Sequence, residues 1–378
     1  MSIIIVDDNA TNQLIIKAIL NKAGYEDLKA ASSAIELYSL LDIESDSAAE
    51  SNVDLILMDM MMPEIDGLEA CKTILQVERY KDVPIIFVTA LGDSSKMAEA
   101  LDAGASDYVM KPINKMELLA RIRSALRLKR EIDWHKERDK QVKFKLELAK
   151  KVQRNVLSQP INDENIAISA VYQPSSELAG DFYAWYRIDD SRYGVILLDM
   201  MGHGIASSLV CMYISSVLKD TITRITKPNL VVQELNRYMN QLYKKEELLN
   251  YYFTAIYLVL DTDKRTVEYV NAGHPPGKAL IGDQVTLLTE GCCAVGLFET
   301  IEIRQGMISY EDHMKIVLYT DGLSESMGDN GEDKLNLLVE QLSGSESAEP
   351  AAIVRDFISG QNSDNQKDDI CLVMIAAK

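Results

Sequence analysis

Between Pro112 and Pro160 the chain contains neither glycine nor proline, and this stretch constrains the architecture more than any other. Gly and Pro are the residues that most often interrupt helices. Leu119, Ile122 and Leu126, and later Val142, Leu146, Ala149 and Val156, recur at spacings of mostly three and four. The pattern predicts a helix over 115–158, about 65 Å long at 1.5 Å per residue. Globular helices average about 10–14 residues, so a helix of this length needs a partner along it. A parallel dimeric coiled coil, and hence a homodimer, is the expectation. The alternative is a helix that folds back on its own domains or breaks near Asp133-Trp134-His135. Strand signals stop where this segment begins and resume where it ends. The expected domains are therefore 1–122, a helical linker over 115–158, and 159–378, as suits a chain of 378 residues.

The bulk numbers narrow the function. A net charge of −19 argues against a nucleic-acid-coating role and makes an anionic membrane a poor docking surface. The linker is the exception, with 13 Lys/Arg against 6 Asp/Glu over 117–158, net +7. It reads as a solvated basic helix face and offers no groove-reading helix. The five cysteines, Cys71, Cys211, Cys292, Cys293 and Cys371, are scattered and lack metal spacing, which fits a reducing cytoplasm. Met1-Ser2 runs directly into the strand-like Ile3-Ile4-Ile5-Val6, so no leader is expected. No uninterrupted apolar run approaches the roughly 18 residues of a membrane span. The expected localisation is cytoplasmic, with no nucleic-acid or membrane partner.

Before residue 115, short β-branched runs alternate with helix-period segments five times, which predicts an α/β doubly wound parallel sheet. Ligands of such sheets sit at the carboxyl ends of the strands, and Asp7-Asp8, Asp59, Thr89 and Lys111-Pro112 fall there. Two adjacent acids plus a third after another buried strand make an oxygen-rich site suited to Mg²⁺. The Thr89 hydroxyl and the Lys111 ammonium suit the oxygens of a phosphoryl group on Asp59. Through Val6-Asp7-Asp8, Leu57-Met58-Asp59-Met60-Met61-Met62-Pro63, Asp66-Gly67, Thr89-Ala90 and Lys111-Pro112, residues 1 to about 125 resemble the response-regulator receiver family, whose fold is flavodoxin-like. The resemblance implies that Asp59 accepts a phosphoryl group from a sensor histidine kinase. It further implies that Asp8, Asp59 and the Met61 carbonyl hold Mg²⁺ with support from Asp7. Thr89 and Tyr108 would switch, and Lys111 would contact the phosphoryl group.

Beyond Asn165 strands dominate again, joined by short turns and a few helices, which predicts an α+β fold with antiparallel sheets. Helices are expected over 205–221 and 230–242, with another over 350–358. Asp181 follows a glycine, Asp199 ends an apolar run, Asp321 ends another, and Asp368 precedes the last one. Acids converging from several strand ends suit a pair of divalent metals acting on a phosphate ester. This segment resembles the SpoIIE-type branch of the metal-dependent (PPM) serine/threonine phosphatases. The resemblance rests on Gly180-Asp181-Phe182-Tyr183, Asp199-Met200-Met201-Gly202-His203-Gly204, Phe253-Thr254-Ala255, Asn271-Ala272-Gly273-His274-Pro275-Pro276, Tyr319-Thr320-Asp321-Gly322-Leu323 and Asp368-Asp369-Ile370. It implies a PPM sandwich holding two Mn²⁺ or Mg²⁺. Asp199 would bridge both metals and the Met200 carbonyl would join one of them, Asp321 and Asp368 would hold the other, and Asp181 would order water at the site. Asp369 competes with Asp368 as the ligand. His203 and His274 could donate a proton to a leaving oxygen, but in such motifs histidine more often braces a loop. Ala179, Ala184, Met200-Met201 and Cys371 depart from the family pattern without removing a carried-over ligand.

Together these readings describe a response regulator whose output is a phosphoserine/phosphothreonine protein phosphatase. The family implies a phosphorylated anti-sigma antagonist as its partner. The rival reading is an adaptor, a catalytically dead phosphatase fold that binds a sigma factor or its regulator. Retention of all four acids weighs against it.

Overall fold

A computed structural model describes residues 1–43, 53–90, 94–243, 251–282, 284–327, 331–344 and 368–378. The chain divides into two compact units, 1–142 and 143–378. The helix expected over 350–358 lies outside the described residues.

The first unit carries β1 (Ser2–Val6), β2 (Asp27–Ala31), β3 (Leu55–Asp59), β4 (Ile85–Ala90) and β5 (Asp107–Lys111) in one sheet of order β2-β1-β3-β4-β5. All pairings are parallel. The period of two along β-branched runs divides their side chains between two cores. Ile4, Val6, Ile56, Met58, Ile85 and Phe87 pack on one face, under α2 (Ala34–Leu41) and α3 (Gly67–Gln76). Ile3, Ile5, Leu55, Leu57, Ile86, Val88 and Val109 pack on the other, against α1 (Ala10–Lys22) and the start of α5 (Lys115–Val156). The helix α4 (Ser94–Asp102) lies between β4 and β5 in the chain. Side chains mark the helix starts: Asn9 accepts from the Thr11 N–H, Ser33 from Glu36, and Asp66 from Glu69.

The helix α5 is continuous over its 42 residues. Of the residues from which a seam was read, Leu119, Ile122 and Leu126 are buried in the first unit's core. Leu146 and Ala149 are half-buried, and Val142 and Val156 are exposed. An exposed apolar ridge at four-residue spacing, Phe144 (73%), Leu148 (57%), Val152 (51%) and Val156 (39%), shares only Val156 with that set. Periodicity marks apolar faces but does not say which of them the chain's own domains will cover.

The second unit contains two six-stranded sheets. One has the order β14-β11-β10-β9-β8, with β15 also on β11. Its strands are β8 (Phe182–Arg187), β9 (Arg192–Met200), β10 (Phe253–Asp261), β11 (Thr266–Ala272), β14 (Gly291–Cys292) and β15 (Gly306–Ser309). The other has the order β13-β12-β16-β17-β7-β6. It comprises β6 (Ile161–Asn162), β7 (Ile166–Gln173), β12 (Gly277–Ile281), β13 (Gln284–Leu288), β16 (Met314–Tyr319) and β17 (Ile370–Ala377). Apart from the parallel β11·β14 pair, neighbouring strands run antiparallel. One core joins both sheets to α6 (Ile205–Ile225) and α7 (Pro228–Tyr243), through residues such as Leu197, Leu218, Leu235, Ile256, Ile316 and Val373. A smaller cluster packs α8 (Asp321–Ser326) and α9 (Gly331–Gly344) on Val317, Tyr319, Ile370 and Leu372. By length and composition α6 could cross a membrane, but its Cys211, Ile214, Leu218 and Ile222 are wholly buried in this core.

Ile122 and Phe144 lie on one helix in opposite circumstances. Ile122→Ala removes a fully buried side chain and is expected to destabilise the first unit by about 2–5 kcal/mol. Phe144→Ala, at an exposed position, is expected to change stability by about 0.5 kcal/mol or less. Denaturant titration of the two variants checks the contrast.

Candidate functional site

The parallel order of the first sheet brings the ends of β1, β3, β4 and β5 to one edge. One carboxylate oxygen from each of Asp7, Asp8 and Asp59 lies within 4.8 Å of the others, with Asp7 and Asp59 buried and Asp8 exposed. Three hard oxygen donors on one rim fit a divalent cation. Lys111 at the end of β5 reaches Asp59 Oδ2 at 2.7 Å and Asp7 Oδ2 at 3.0 Å. Burial works against the Lys111 charge, but the hydrogen bonds and attraction from Asp59 and Asp7 more than offset it and raise its pKa. Asp7 Oδ1 accepts from the Asn9 N–H at 2.9 Å and from Asn12 Nδ2 at 3.0 Å. The Met61 N–H donates to Asp59 Oδ1 at a longer 3.3 Å. Thr89 is buried, with its hydroxyl 3.9 Å from the Met60 sulfur. Tyr108 is half-buried, and the Arg121 guanidinium lies over its ring at 5.4 Å. Arg121 is itself held by Asp107 and Glu117.

In the second unit, sheet register assembles a row of polar residues at one end of the β8–β11 sheet. Phe182 pairs with Leu198 and Thr254 with Asp199, while Ala255 bridges Gly273. Asp181, Asp199, Thr254 and His274 therefore fall side by side at the same level. The other sheet supplies Thr320 and Asp321 after β16, and Asp368 and Asp369 before β17. Gly202 and Gly204 take φ of 76° and 90°, a region costly for side-chain-bearing residues, in the turn that leaves Asp199. At Gly322 a Cβ would lie 2.0 Å from the Asp369 carbonyl oxygen, so this approach requires glycine.

These acids share one electrostatic environment. Burial, first, and then repulsion from Asp199 raise Asp181 well above the usual carboxylate range, opposed by a hydrogen bond from Thr320. Burial and the neighbouring Asp321 carry Asp199 to about 8. Burial also raises Asp368, against a backbone hydrogen bond from Asp369. Asp369 differs from the others. Its Oδ1 accepts from the Ser175 N–H (2.7 Å) and hydroxyl (2.8 Å), and its Oδ2 accepts from the Gly180 N–H (2.7 Å). It braces the 175–180 loop with both oxygens. Carboxylates that raise one another's pKa, in a half-open cluster, are a donor set that a divalent cation would relieve.

Three contacts had no counterpart in the sequence reading. The Gln153 side chain on α5 donates to the Ala179 carbonyl at 2.8 Å and accepts from the Ala179 N–H at 3.1 Å, two residues before Asp181. The Thr320 hydroxyl donates to Asp181 Oδ2 at 2.7 Å and accepts from the Cys371 N–H at 2.9 Å. His274 Nδ1 lies 2.8 Å from the Thr254 hydroxyl. None of the three carries a sequence signal, because each depends on burial and on a partner distant in the chain. His203 is exposed and interacts with Asp368, whereas His274 is buried and burial lowers it to about 3. Ala184 and Cys371 are fully buried core residues.

The family described as Stage II sporulation protein E (SpoIIE) matches residues 189–378, and the response regulator receiver domain matches residues 3–123. The chain is 41% identical over 186 residues to phosphoserine phosphatase RsbP of Bacillus subtilis (strain 168), a match covering 48% of this chain and 46% of that protein. It thus spans about half the length of that relative. It is 32% identical over 126 residues to chemotaxis protein CheY1 of Helicobacter pylori (strain ATCC 700392 / 26695), covering 33% of this chain and 97% of that protein. Among solved structures, the SiaA-PP2C domain of Pseudomonas aeruginosa superposes with a TM-score of 0.51 at 18% identity. That superposition covers 62% of this chain and 97% of that domain and shows a shared fold.

The Asp199 shift carries a pH consequence. Its folded-state pKa of about 8 lies above the ordinary 3.8, so the folded protein without metal holds the extra proton between those values. The associated stability is complete below about pH 4 and is lost as pH rises towards 8. After EDTA treatment, the melting temperature of the second unit is expected to fall between about pH 5 and 8. Added Mn²⁺ is expected to restore more at the higher pH, because cation and proton compete for the same oxygens. Calorimetry across that range checks both.

Proposed function

Because the chain belongs to the SpoIIE family and carries a receiver domain ahead of the matching segment, we propose that it is a phosphorylation-controlled, metal-dependent serine/threonine protein phosphatase. The observation that carries the reading is the convergence of Asp181, Asp199, Asp321 and Asp368 from two sheets into one mutually repelling cluster. Asp199, Asp321 and Asp368 are the proposed ligands of two Mn²⁺ or Mg²⁺, with the Met200 carbonyl at Asp199. Such a pair, when bound, activates water and neutralises phosphate oxygens. Asp181, wholly buried and fixed by Thr320, orients the attacking water. Asp369, with both oxygens engaged by the 175–180 loop, serves as its brace rather than as a ligand.

In the first unit, Asp59 accepts the phosphoryl group from a sensor histidine kinase. Asp8, Asp59 and the Met61 carbonyl would hold Mg²⁺, with Asp7 in support. Lys111 neutralises the phosphoryl oxygens, and Thr89 and Tyr108 respond to them. Control reaches the second unit along α5, whose Gln153 grips the Ala179 backbone beside Asp181. The exposed ridge Phe144–Leu148–Val152–Val156 supports self-association of α5 with a second copy of the chain. The relative RsbP is named a phosphoserine phosphatase, and a phosphoserine on an anti-sigma antagonist is the proposed substrate.

Hydrolysis of p-nitrophenyl phosphate in Mn²⁺, with and without beryllofluoride as the phosphoryl mimic on Asp59, tests this reading. Turnover is expected to be abolished by EDTA. In Asp199→Asn it is expected to fall by more than the roughly 100-fold reached by losing an outer-shell partner. Beryllofluoride is expected to change the rate in wild type and to have no effect in Asp59→Asn. Gln153→Ala is expected to retain turnover that no longer responds to the mimic. Absence of metal-dependent turnover in both states, repeated with a phosphoprotein, would favour the adaptor reading instead.

A further inference from the structure

One peptide group beside the acidic cluster is held from both sides. The Ala179 carbonyl accepts from the Gln153 side chain at 2.8 Å. The Gly180 N–H, the other half of the same planar unit, donates to Asp369 Oδ2 at 2.7 Å. Gln153 lies on α5 and Asp369 immediately precedes β17, so this peptide joins the helix to the second sheet through two hydrogen bonds in series. Each partner also fixes a further amide of the loop. The Ala179 N–H donates to Gln153 at 3.1 Å, and the Ser175 N–H donates to Asp369 Oδ1 at 2.7 Å. Both side chains are 3% exposed, and a buried group that loses its partner costs more than a solvated one. Hydrogen bonds in series strengthen one another, and the carboxylate acceptor makes the bond from Gly180 charge-assisted.

This joint touches the surroundings of all four acids. Asp181 is the residue after Gly180. A Cβ on Gly180 would lie 2.9 Å from the Gly202 carbonyl oxygen and 3.3 Å from that of Met200, so the peptide is seated against the turn that leaves Asp199. The Asp369 N–H donates to Asp368 Oδ1 at 2.8 Å. The Asp369 carbonyl oxygen is what excludes a side chain at Gly322, next to Asp321. A displacement of the Ala179–Gly180 peptide therefore reaches the cluster through direct contacts.

We propose that Asp369 is a positioning residue for control, the anchor against which Gln153 of α5 moves the Ala179–Gly180 peptide and, with it, Asp181; this rests on the receiver-controlled phosphatase reading above. Held by Gln153 alone, the loop would follow α5 without a fixed seat on the cluster. Held by Asp369 alone, it would be indifferent to the helix. The two holds together make the seat of the peptide depend on α5.

Turnover of p-nitrophenyl phosphate by the full chain in saturating Mn²⁺, with and without beryllofluoride, tests the anchor. Asp369→Asn cannot accept from Ser175 and Gly180 together, because its amide nitrogen is a donor. Its turnover is expected to fall about 10- to 100-fold, as for other partners that orient metal ligands. The rates with and without the mimic are expected to become equal. A brace with no part in control would lower both rates and leave their ratio at the wild-type value, and that outcome overturns the proposal. If Asp369→Asn has no measurable turnover, hydrogen exchange read at single amides of Gln153→Ala decides. The Ser175 and Gly180 N–H groups are expected to exchange faster than in wild type, although Gln153 bonds to neither, and wild-type protection there overturns the proposal. If wild type itself ignores beryllofluoride, the receiver-control reading has failed and takes the proposal with it. A wild-type response that persists in Asp369→Asn leaves that reading standing and removes the anchor alone.

Discussion

Mutual repulsion among acids crowded at the adjoining ends of two sheets is the constraint around which the second unit is organised. A buried carboxylate without compensation is costly, so it must be hydrogen-bonded, protonated or paired with a cation. The unit uses these remedies unequally. Asp369 is saturated by three donors from Ser175 and Gly180. Asp181 has the Thr320 hydroxyl. The charged groups that act on Asp199 are themselves carboxyls, Asp321 foremost. Asp369 and Asp181 thus have hydrogen-bond donors, while burial and repulsion from Asp321 act on Asp199, where a cation would offset them. The same contrast separates Asp368 from its neighbour Asp369, whose charge is already spent on holding a loop.

The loop held in this way is also where α5 enters the unit. Gln153 binds Ala179 before Asp181, and the Ser158 hydroxyl exchanges hydrogen bonds with the Trp185 backbone after it, at 2.9 and 3.1 Å. The Trp185 indole N–H adds a bond to the Gln159 carbonyl at 2.9 Å. The end of α5 and the residues that follow it thus bracket the segment that presents Asp181. Swinging an output from 1:99 to 99:1 takes about 5.5 kcal/mol of differential stabilisation. A few net hydrogen bonds of about 0.5–1.5 kcal/mol each supply part of that, and a helix face buried in only one state would supply the rest.

Much of the architecture was legible in the sequence because its signals were strong and local. The first sheet follows from β-branched runs such as Ile3–Val6 and Ile85–Val88, with acids at their ends. The helical linker follows from the lack of Gly and Pro. Other elements were not legible. The aromatic strand Phe182–Arg187 lacks β-branched residues, and the β12–β13 hairpin around Gly282 is brief. The apolar stripe of α5 was visible as a stripe, but whether Leu146 or Leu148 faces solvent depends on where the rest of the unit packs. In the site, acid positions were readable and their division of labour was not. Asp368 and Asp369 look alike in sequence, and only Ser175 and Gly180, almost two hundred residues away, distinguish them. The contributions of Gln153, Thr254 and Thr320 are likewise products of tertiary contact.

Lys111 has one further consequence, for the chemistry proposed at Asp59. The two oxygens of a free carboxylate are equivalent, but those of Asp59 are not. Oδ2 is 2.7 Å from an ammonium group and Oδ1 is 3.3 Å from a backbone N–H. The carboxylate is desymmetrised before any phosphodonor arrives, with electron density drawn more strongly towards Oδ2. Oδ1 keeps the weaker of the two hydrogen bonds. Lys111 thereby gives the two oxygens different surroundings and stands beside the carboxylate to which the proposed reaction would add charge.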